Sequence, residues 1–130
     1  MFGSSELVDI AEHKLHHGKV DFDLLTSIVE PWLEPACSID TIVLACTHFP
    51  LLTIELNEIF IRHNKRIQWI DSAEGVANRV RFLLAKYADE NIQSSLFSNQ
   101  AFFTTKQTIS DAFRQYLDSL KIVDIHHLSV

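Results

Sequence analysis

Residues 42–52 read IVLACTHFPLL. The first four are apolar, and two of them are β-branched, which predicts a short strand buried on both faces. Pro50 suits the first position of a helix, because its missing N–H would be unpaired there anyway. Apolar residues at 52, 56, 59 and 60 continue that helix at the right spacing. The thiol of Cys46 is therefore predicted to lie where a strand ends and a helix begins.

This position favours chemistry at Cys46. The N-terminus of a helix offers unpaired N–H groups and a partial positive charge, and both stabilise a thiolate. His48 follows two residues later, close enough to take or give a proton. The opposing interpretation is that a lone cysteine at a strand end is more often a small buried hydrophobe. Cys37 has no such setting and is interpreted as structural.

Composition limits the classes of protein that this chain can represent. It has 130 residues, 47% of them hydrophobic, which is enough for the core of one ordinary domain. The formal net charge of −6 and the lack of a Lys/Arg cluster argue against a nucleic-acid partner. No apolar run approaches the ~20 residues of a membrane span, and no signal-peptide pattern is present. Two cysteines do not make a disulfide framework, so we expect a cytoplasmic protein.

Hydrophobic spacing predicts two helices followed by alternating strands and helices. Gly18 should end the first helix, Pro31 should kink or restart the second, and Pro35 should end it. Ser72 is a candidate N-cap, and residues 89–100 form a polar loop. The predicted helices cover about 5–17, 21–34, 50–60, 72–87 and 108–117, and the predicted strands cover 42–45, 66–70, 101–105 and 122–128. This order is typical of α/β proteins with parallel strands, helices on the faces and ligands beyond the carboxyl ends of the strands.

Other polar residues have ordinary explanations. His13, His16 and His17 have the spacing of a helical metal site, but a solvated helix end explains them as well. A Cys-x-His metal site at Cys46 would need two or more further ligands. Asp71 is interpreted as a helix-start residue rather than a base. The sequence has no glycine-rich loop, so it gives no support for nucleotide binding.

The region around Cys46 resembles the second cysteine motif of the glutamate racemases. The similar stretch is long, DTIVLACTHFPLL over residues 40–52, although Ala45 stands where glycine is more usual. Further similar segments follow the family's order. They are LVDIAE at 7–12, WLEP at 32–35, WIDSA at 69–73, FFTT at 102–105 and the closing strand.

The resemblance implies a cofactor-independent enzyme that interconverts L- and D-glutamate and supplies D-glutamate for peptidoglycan, and thus for the cell wall and cell shape. Two cysteines of such an enzyme lie on opposite sides of the substrate Cα. By resemblance, Cys46 is the cysteine that acts on the L-enantiomer, His48 is its proton partner and Glu12 is the assisting carboxylate. Thr47 would hold the substrate carboxylate through its N–H and hydroxyl, as expected at a helix start. No metal or other cofactor is expected.

The chain also departs from the family. The Asp-Ser-Gly motif and the first cysteine of the racemases are absent, so the chain resembles the C-terminal half of such an enzyme. Residues 1–71 would then form part of the second lobe, and residues 72–130 would return to the first lobe. This incomplete two-lobe arrangement conflicts with the single parallel sheet that the alternation alone suggests. We favour the two-lobe arrangement for the strand partners.

The sequence leaves alternatives open. The chain could be a related racemase acting on aspartate or hydantoins, a non-catalytic fragment that binds or regulates a partner, or a metal-binding module around Cys46 and His48. Turnover needs acid and base on opposite faces of the substrate, and Cys37 precedes the Cys46 strand rather than facing it. We therefore expect the chain alone to be inactive, and to self-associate or to need the missing N-terminal half.

Overall fold

Two helices lead the chain, and strands and helices alternate after them. The computed structural model describes residues 4–34, 37–87, 99–106 and 108–128. The elements along these residues are α1 (Ser5–His17), α2 (Phe22–Leu33), β1 (Thr41–Leu44), a 3-10 turn (Phe49–Leu52), α3 (Thr53–Arg62), β2 (Gln68–Asp71), α4 (Ala73–Tyr87), β3 (Asn99–Phe103), α5 (Asp111–Ser119) and β4 (Ile122–His127). None of the helices in these ranges is long and apolar enough to cross a membrane.

Side-chain caps and one glycine fix the ends of the leading helices. Ser4 and Asp21 each accept a hydrogen bond from the backbone N–H three residues on, which caps α1 and α2. Gly18 ends α1 as predicted, in the left-handed region at φ 69°. Pro31 does not divide α2, contrary to the expected restart. It lies in the last turn of the helix, where its missing N–H removes one backbone hydrogen bond and only two helical residues follow it. Pro35 lies outside the described residues.

The strand before Cys46 begins one residue earlier than predicted and is more exposed. β1 pairs in parallel with β2, with Thr41 opposite Gln68 and Leu44 opposite Asp71. Leu44 is buried, but Val43 is 65% exposed. The prediction of burial on both faces is therefore wrong for these residues, because the helices that the structure describes leave the face of Val43 exposed.

The helix start after Cys46 also differs from the prediction. Pro50 lies in a four-residue 3-10 turn, and α3 begins only at Thr53. The Thr53 hydroxyl and backbone N–H both bond to the Pro50 carbonyl, the hydroxyl at 2.9 Å. Tight 3-10 turns are frequent at helix N-termini. The backbone thus turns as a helix directly after residue 48, but through a tighter first turn.

The remaining strands form a second, separate sheet. β3 pairs in parallel with β4, and α5 lies between them in sequence. The described strands thus form two two-stranded sheets, β1-β2 and β3-β4, so the single-sheet interpretation is wrong. β3 begins at Asn99, inside the predicted loop, and α5 begins at Asp111, three residues after the predicted start, with Ser110 as its N-cap. The α/β class and the parallel pairing are confirmed.

The hydrophobic core lies between α1, α2 and the region from the 3-10 turn through α3. Trp69 of β2 lies at one side of this core. Its ring and that of Phe60 are nearly perpendicular, with centroids 5.6 Å apart, and its indole N–H donates a hydrogen bond to the Asn57 side-chain oxygen. In a separate contact, Phe113 of α5 packs under the end of α1. The buried core residues are Leu7, Ile10, Ala11, Leu25, Val29, Leu33, Leu52, Leu56, Ile59 and Phe60.

Several apolar side chains are exposed in the part of the chain that the structure describes. α4 has no buried residue, although its sequence has an apolar face. At its start the Asp71 carboxylate accepts a hydrogen bond from the Ala73 amide at 2.8 Å, which confirms Asp71 as a helix-start residue. An apolar cavity of about 580 Å³ runs along β1, between Trp32 and Trp69. The most exposed large apolar residues include Val43, Ile54, Val76, Tyr87 and Val123.

Candidate active site

Cys46 lies two residues beyond β1, at the turn that leads into the 3-10 segment. The backbone N–H of His48 points to its sulfur and lowers the pKa of the thiol. The hydrogen bond to the His48 side chain lowers that pKa further, while burial opposes it, and the His48 charge and the Phe49 N–H lower it by smaller amounts. The thiol is partly exposed, so a small reagent or substrate can reach it. Local backbone geometry thus favours the thiolate.

His48 connects the thiol to a carboxylate. Its Nδ1 lies 3.7 Å from Cys46 Sγ, and its Nε2 lies 2.7 Å from Glu12 Oε1. An ionised carboxylate can only accept, so Nε2 carries the proton and Nδ1 is free to take one from the thiol. The bonds to Cys46 and then to Glu12 raise the pKa of the imidazole, with a smaller opposing effect of burial. The three groups form a line of proton acceptors and donors that ends at the sulfur.

Glu12 reaches this line from α1, 36 residues earlier in the chain. The second oxygen of its carboxylate, Oε2, lies 3.5 Å from His16 Nε2, one helical turn further along α1. The Glu12 side chain is 43% exposed. Its placement depends on how α1 packs against the turn after Cys46.

An ion pair fixes that packing. Lys14 Nζ donates to the Leu51 carbonyl at 2.6 Å and lies 2.8 Å from both carboxylate oxygens of Glu55. The side chain of Glu55 is only 14% exposed. Lys14 thereby holds α1 against the 3-10 turn and α3, two residues away from Glu12. No sequence pattern predicts this pair, because 41 residues separate its members.

Thr47 lies beside the thiol and faces solvent. Its hydroxyl is 3.5 Å from His48 Nδ1, the same nitrogen that approaches Cys46. The structure therefore brings Cys46, Thr47, His48 and Glu12 together in one place. Their catalytic and binding roles remain proposals.

The other histidines and the second cysteine considered in the sequence analysis lie outside this line of three groups. The rings of His13 and His17 are 4.5 Å apart, and His13 bonds to the Lys19 carbonyl. Within the described ranges, no three His, Cys, Asp or Glu side chains form a group suited to a metal ion. The Cys37 carbonyl accepts a hydrogen bond from Lys65. On sequence alone, His16 is interpreted only as part of a solvated helix end. Its position four residues after Glu12 places the two side chains on the same face of α1, and this spacing could have predicted their contact.

Comparisons with known proteins give the chain a family context. No protein-family model matches it. It is 38% identical over 130 residues to the glutamate racemase of Yersinia pseudotuberculosis serotype O:3 (strain YPIII), an alignment that covers 100% of this chain and 44% of that protein. It is 41% identical over 116 residues to the glutamate racemase of Shewanella sp. (strain ANA-3), covering 85% of this chain and 40% of that protein. The chain spans less than half the length of these relatives.

A solved structure agrees with the sequence comparison. The fold superposes on Escherichia coli glutamate racemase in complex with L-glutamate and the activator UDP-MurNAc-Ala, with a TM-score of 0.82 and 34% identity. The match covers 100% of this chain and 47% of that one. The predicted resemblance to the racemases is therefore confirmed, while the role of the Cys-Thr-His segment stays a prediction. The chain is a partial-length homologue of the glutamate racemases.

Proposed function

We propose that this chain provides one of the two proton-transfer faces of a glutamate racemase. The observation that carries the proposal is the line from Cys46 through His48 to Glu12, with separations of 3.7 and 2.7 Å. Such a line, in a homologue of glutamate racemases, suits a thiol that must be ionised near neutral pH. We propose glutamate as the substrate, because the relatives are named for it and the E. coli neighbour was solved with L-glutamate.

The chemistry at Cys46 follows from its contacts. The thiolate takes the Cα proton of L-glutamate and becomes S–H, and the electron pair of the broken C–H bond remains on the planar Cα. A proton delivered to the opposite side of Cα then gives D-glutamate. In the reverse direction the Cys46 thiol gives its proton to Cα, and the N–H groups of His48 and Phe49 stabilise the thiolate that forms. Protonated His48, held by Glu12, adds a positive charge beside the sulfur.

Thr47 has a supporting role in this proposal. Its hydroxyl is exposed next to the thiol. Backbone N–H groups and a hydroxyl at the start of a helical turn suit a carboxylate ligand. Thr47 would therefore hold a substrate carboxylate with the Cα proton directed at Cys46. No cofactor takes part in either step.

The opposite face of the substrate needs a second acid and base. The sequence has one other cysteine, Cys37, which precedes β1 on the far side of the strand from the Cys46 turn. We propose that the second thiol comes from the N-terminal half of a racemase and that residues 1–71 and 72–130 belong to different lobes. The separate sheets β1-β2 and β3-β4 support this division. The 130-residue chain alone would then be inactive.

The proposed biological setting follows from the substrate. D-glutamate made by the complete site would supply peptidoglycan synthesis in the cytoplasm, with effects on the cell wall and cell shape. A second candidate function is a non-catalytic binding fragment, favoured by the uncovered apolar face of α4. The two candidates differ in whether Cys46 is activated and whether it takes part in turnover.

Alkylation of the two cysteines tests the activated thiol. Rates of iodoacetamide labelling at Cys46 and Cys37, mapped by mass spectrometry from pH 6 to 9, provide the comparison within one molecule. We expect Cys46 to react faster at neutral pH and to lose part of that advantage in His48→Ala, which removes the imidazole but keeps the backbone N–H groups. Equal rates at the two cysteines at pH 7 would contradict the proposal.

Racemisation itself is tested with and without the other half. We expect the chain alone to give no D-glutamate by chiral chromatography, because orientation by the absent groups is worth roughly 7–11 kcal/mol of a barrier. Mixing it with a separately produced N-terminal half of a relative should restore conversion. The control is Cys46→Ser in the same mixture. Turnover by the lone chain that Cys46→Ser abolishes would overturn the two-thiol account, and restored turnover that survives Cys46→Ser would remove Cys46 from the site.

A further inference from the structure

We infer that His16 is a positioning residue that holds the Glu12 carboxylate against His48. The inference rests on the proposed function of the Cys46 site and adds a fourth residue to the line of Cys46, His48 and Glu12. His16 does not approach the thiol. It acts through Glu12, and its effect should be measurable at Cys46.

The two oxygens of Glu12 have different partners. Oε1 lies 2.7 Å from His48 Nε2, and Oε2 lies 3.5 Å from His16 Nε2. Residues four apart on a helix lie on the same face, so this pair forms without distortion of α1. The Glu12 side chain is 43% exposed and would otherwise sample several rotamers in water. A second contact on the far oxygen reduces that freedom and keeps Oε1 on His48.

His16 is itself held in place by another element. Its ring lies edge-on to the ring of Phe113, with centroids 5.1 Å apart and an interplanar angle of 61°. Phe113 is 8% exposed and belongs to α5, near the C-terminal end of the chain. Gly18, two residues after His16, adds to this junction, because a Cβ built there would lie 3.9 Å from Ala112 Cβ. The helix that carries Glu12 is therefore joined to α5 through the same histidine that contacts the carboxylate.

The neighbouring histidine provides a matched control. His17 lies in the same last turn of α1 but is exposed, and its ring lies 4.5 Å from that of His13. A general effect of removing a histidine from this helix end should appear equally at residues 16 and 17. An effect transmitted through Glu12 should appear at residue 16 alone.

Three substitutions separate the polar contact with Glu12 from the packing against Phe113. His16→Phe keeps an aromatic ring against Phe113 and loses the N–H donor. His16→Gln keeps a donor and loses the ring. His17→Phe is the control. The readout is the pH profile of iodoacetamide labelling at Cys46 in the full 130-residue chain, with Cys37 as the internal reference and tryptophan fluorescence as the check on folding.

We expect His16→Phe to slow alkylation of Cys46 at pH 7 roughly twofold, since contacts between exposed groups are weak. His16→Gln and His17→Phe should match the parent chain. In a Glu12→Gln background, His16→Phe should have no further effect. NMR titration should also show the pKa of His48 falling toward its ordinary value in His16→Phe, a change that loss of packing alone would not produce.

The outcomes distinguish this inference from the proposed function. If His48→Ala leaves the Cys46 profile unchanged, the proposed activation of the thiol fails. If His48→Ala slows labelling but His16→Phe does not, only the role of His16 fails. Equal slowing by His16→Gln and His16→Phe, or an undiminished effect in the Glu12→Gln background, would also overturn it, because the effect would not then pass through the polar contact with Glu12.

Discussion

Replacing Lys14 with methionine should destabilise the chain and disturb the site together. Lys14 Nζ satisfies both oxygens of Glu55 at 2.8 Å and the Leu51 carbonyl at 2.6 Å. Methionine has a similar length, so it fills most of the space but leaves the carboxylate without its cation. Since the Glu55 side chain is only 14% exposed, water can replace the ammonium only in part.

The expected magnitude follows from that exposure. Leaving a buried polar group unpaired costs about 1–3 kcal/mol, and a charged group more. Because water reaches the Glu55 carboxylate in part, Lys14→Met should lower the free energy of unfolding by about 2 kcal/mol. Removing the other member of the pair, by Glu55→Met, should lower the free energy of unfolding by less. Lys14 is 27% exposed, and its flexible side chain can carry the ammonium into water. The double variant should recover part of the loss, since replacing both members of a buried pair is often close to neutral.

Urea unfolding measures these differences. Trp32 packs against the core and Trp69 lies against Phe60, so tryptophan fluorescence reports the folding of this region. With a slope of about 1–3 kcal/mol per molar urea, Lys14→Met should lower the midpoint by roughly 1 M. Glu58→Gln is the control, because it breaks an exposed ion pair with Arg62 and should change stability by no more than about 1 kcal/mol.

Two results would refute this reasoning. One is a Lys14→Met midpoint no lower than that of Glu58→Gln. The other is a double variant less stable than both single variants, which would show that the charge left unpaired is not the cause. Cys46 labelling in the same samples tests the connection to the site. A misplaced α1 should slow it, because Glu12 lies two residues from Lys14 on that helix.

Three shorter predictions concern other features of the fold. Each sheet among the described residues has two strands, and α4 has no buried residue there, so the chain should self-associate in sedimentation experiments, and a monodisperse monomer at high concentration would contradict this. In a Cys46→Ser background, Glu12 still raises the pKa of His48, so the His48–Glu12 pair should stabilise the fold fully below about pH 6.5 and lose that effect as pH rises through the folded pKa. The stability difference on adding Glu12→Gln, measured from pH 5.5 to 8.5, should therefore shrink with pH, and a constant difference would oppose the pairing. Gly18→Ala should lower stability by about 1–2 kcal/mol through its positive φ alone, because the added Cβ meets Ala112 at an ordinary distance, and an unchanged unfolding midpoint would count against this.

Structural features that depend on neighbouring residues could be predicted from the sequence. The end of α1 at Gly18, the strand before Cys46 and the helical turn after it were all predicted. The 3-10 form of that turn was not, because hydrophobic spacing locates a helix better than it defines the first turn. Likewise, α5 begins at Asp111 rather than at Thr108, because the Ser110 hydroxyl accepts a hydrogen bond from the Phe113 N–H and caps the helix there.

Features that depend on distant residues were harder to predict. Strand alternation suggests parallel pairing but does not say which strands share a sheet, so only the resemblance to a two-lobe family favoured the pairing found. Full burial of β1 was predicted from its apolar residues, yet Val43 is 65% exposed. Burial depends on what covers a strand, and its own composition does not contain that information. The Lys14–Glu55 pair, 41 residues apart, left no pattern to detect.

The reactivity of the Cys46 thiol depends mainly on nearby residues, whereas racemisation also depends on a group that lies elsewhere. The groups that lower the pKa of its thiol are the backbone and side chain of His48 and the N–H of Phe49, all within three residues. One further helix, α1, supplies Glu12 to His48. An activated thiol therefore requires only parts of the fold that this chain contains. Inversion at Cα requires a second proton donor on the opposite face, which these contacts do not provide. Fast alkylation of Cys46 without racemisation is thus the combination that a single proton-transfer face should give.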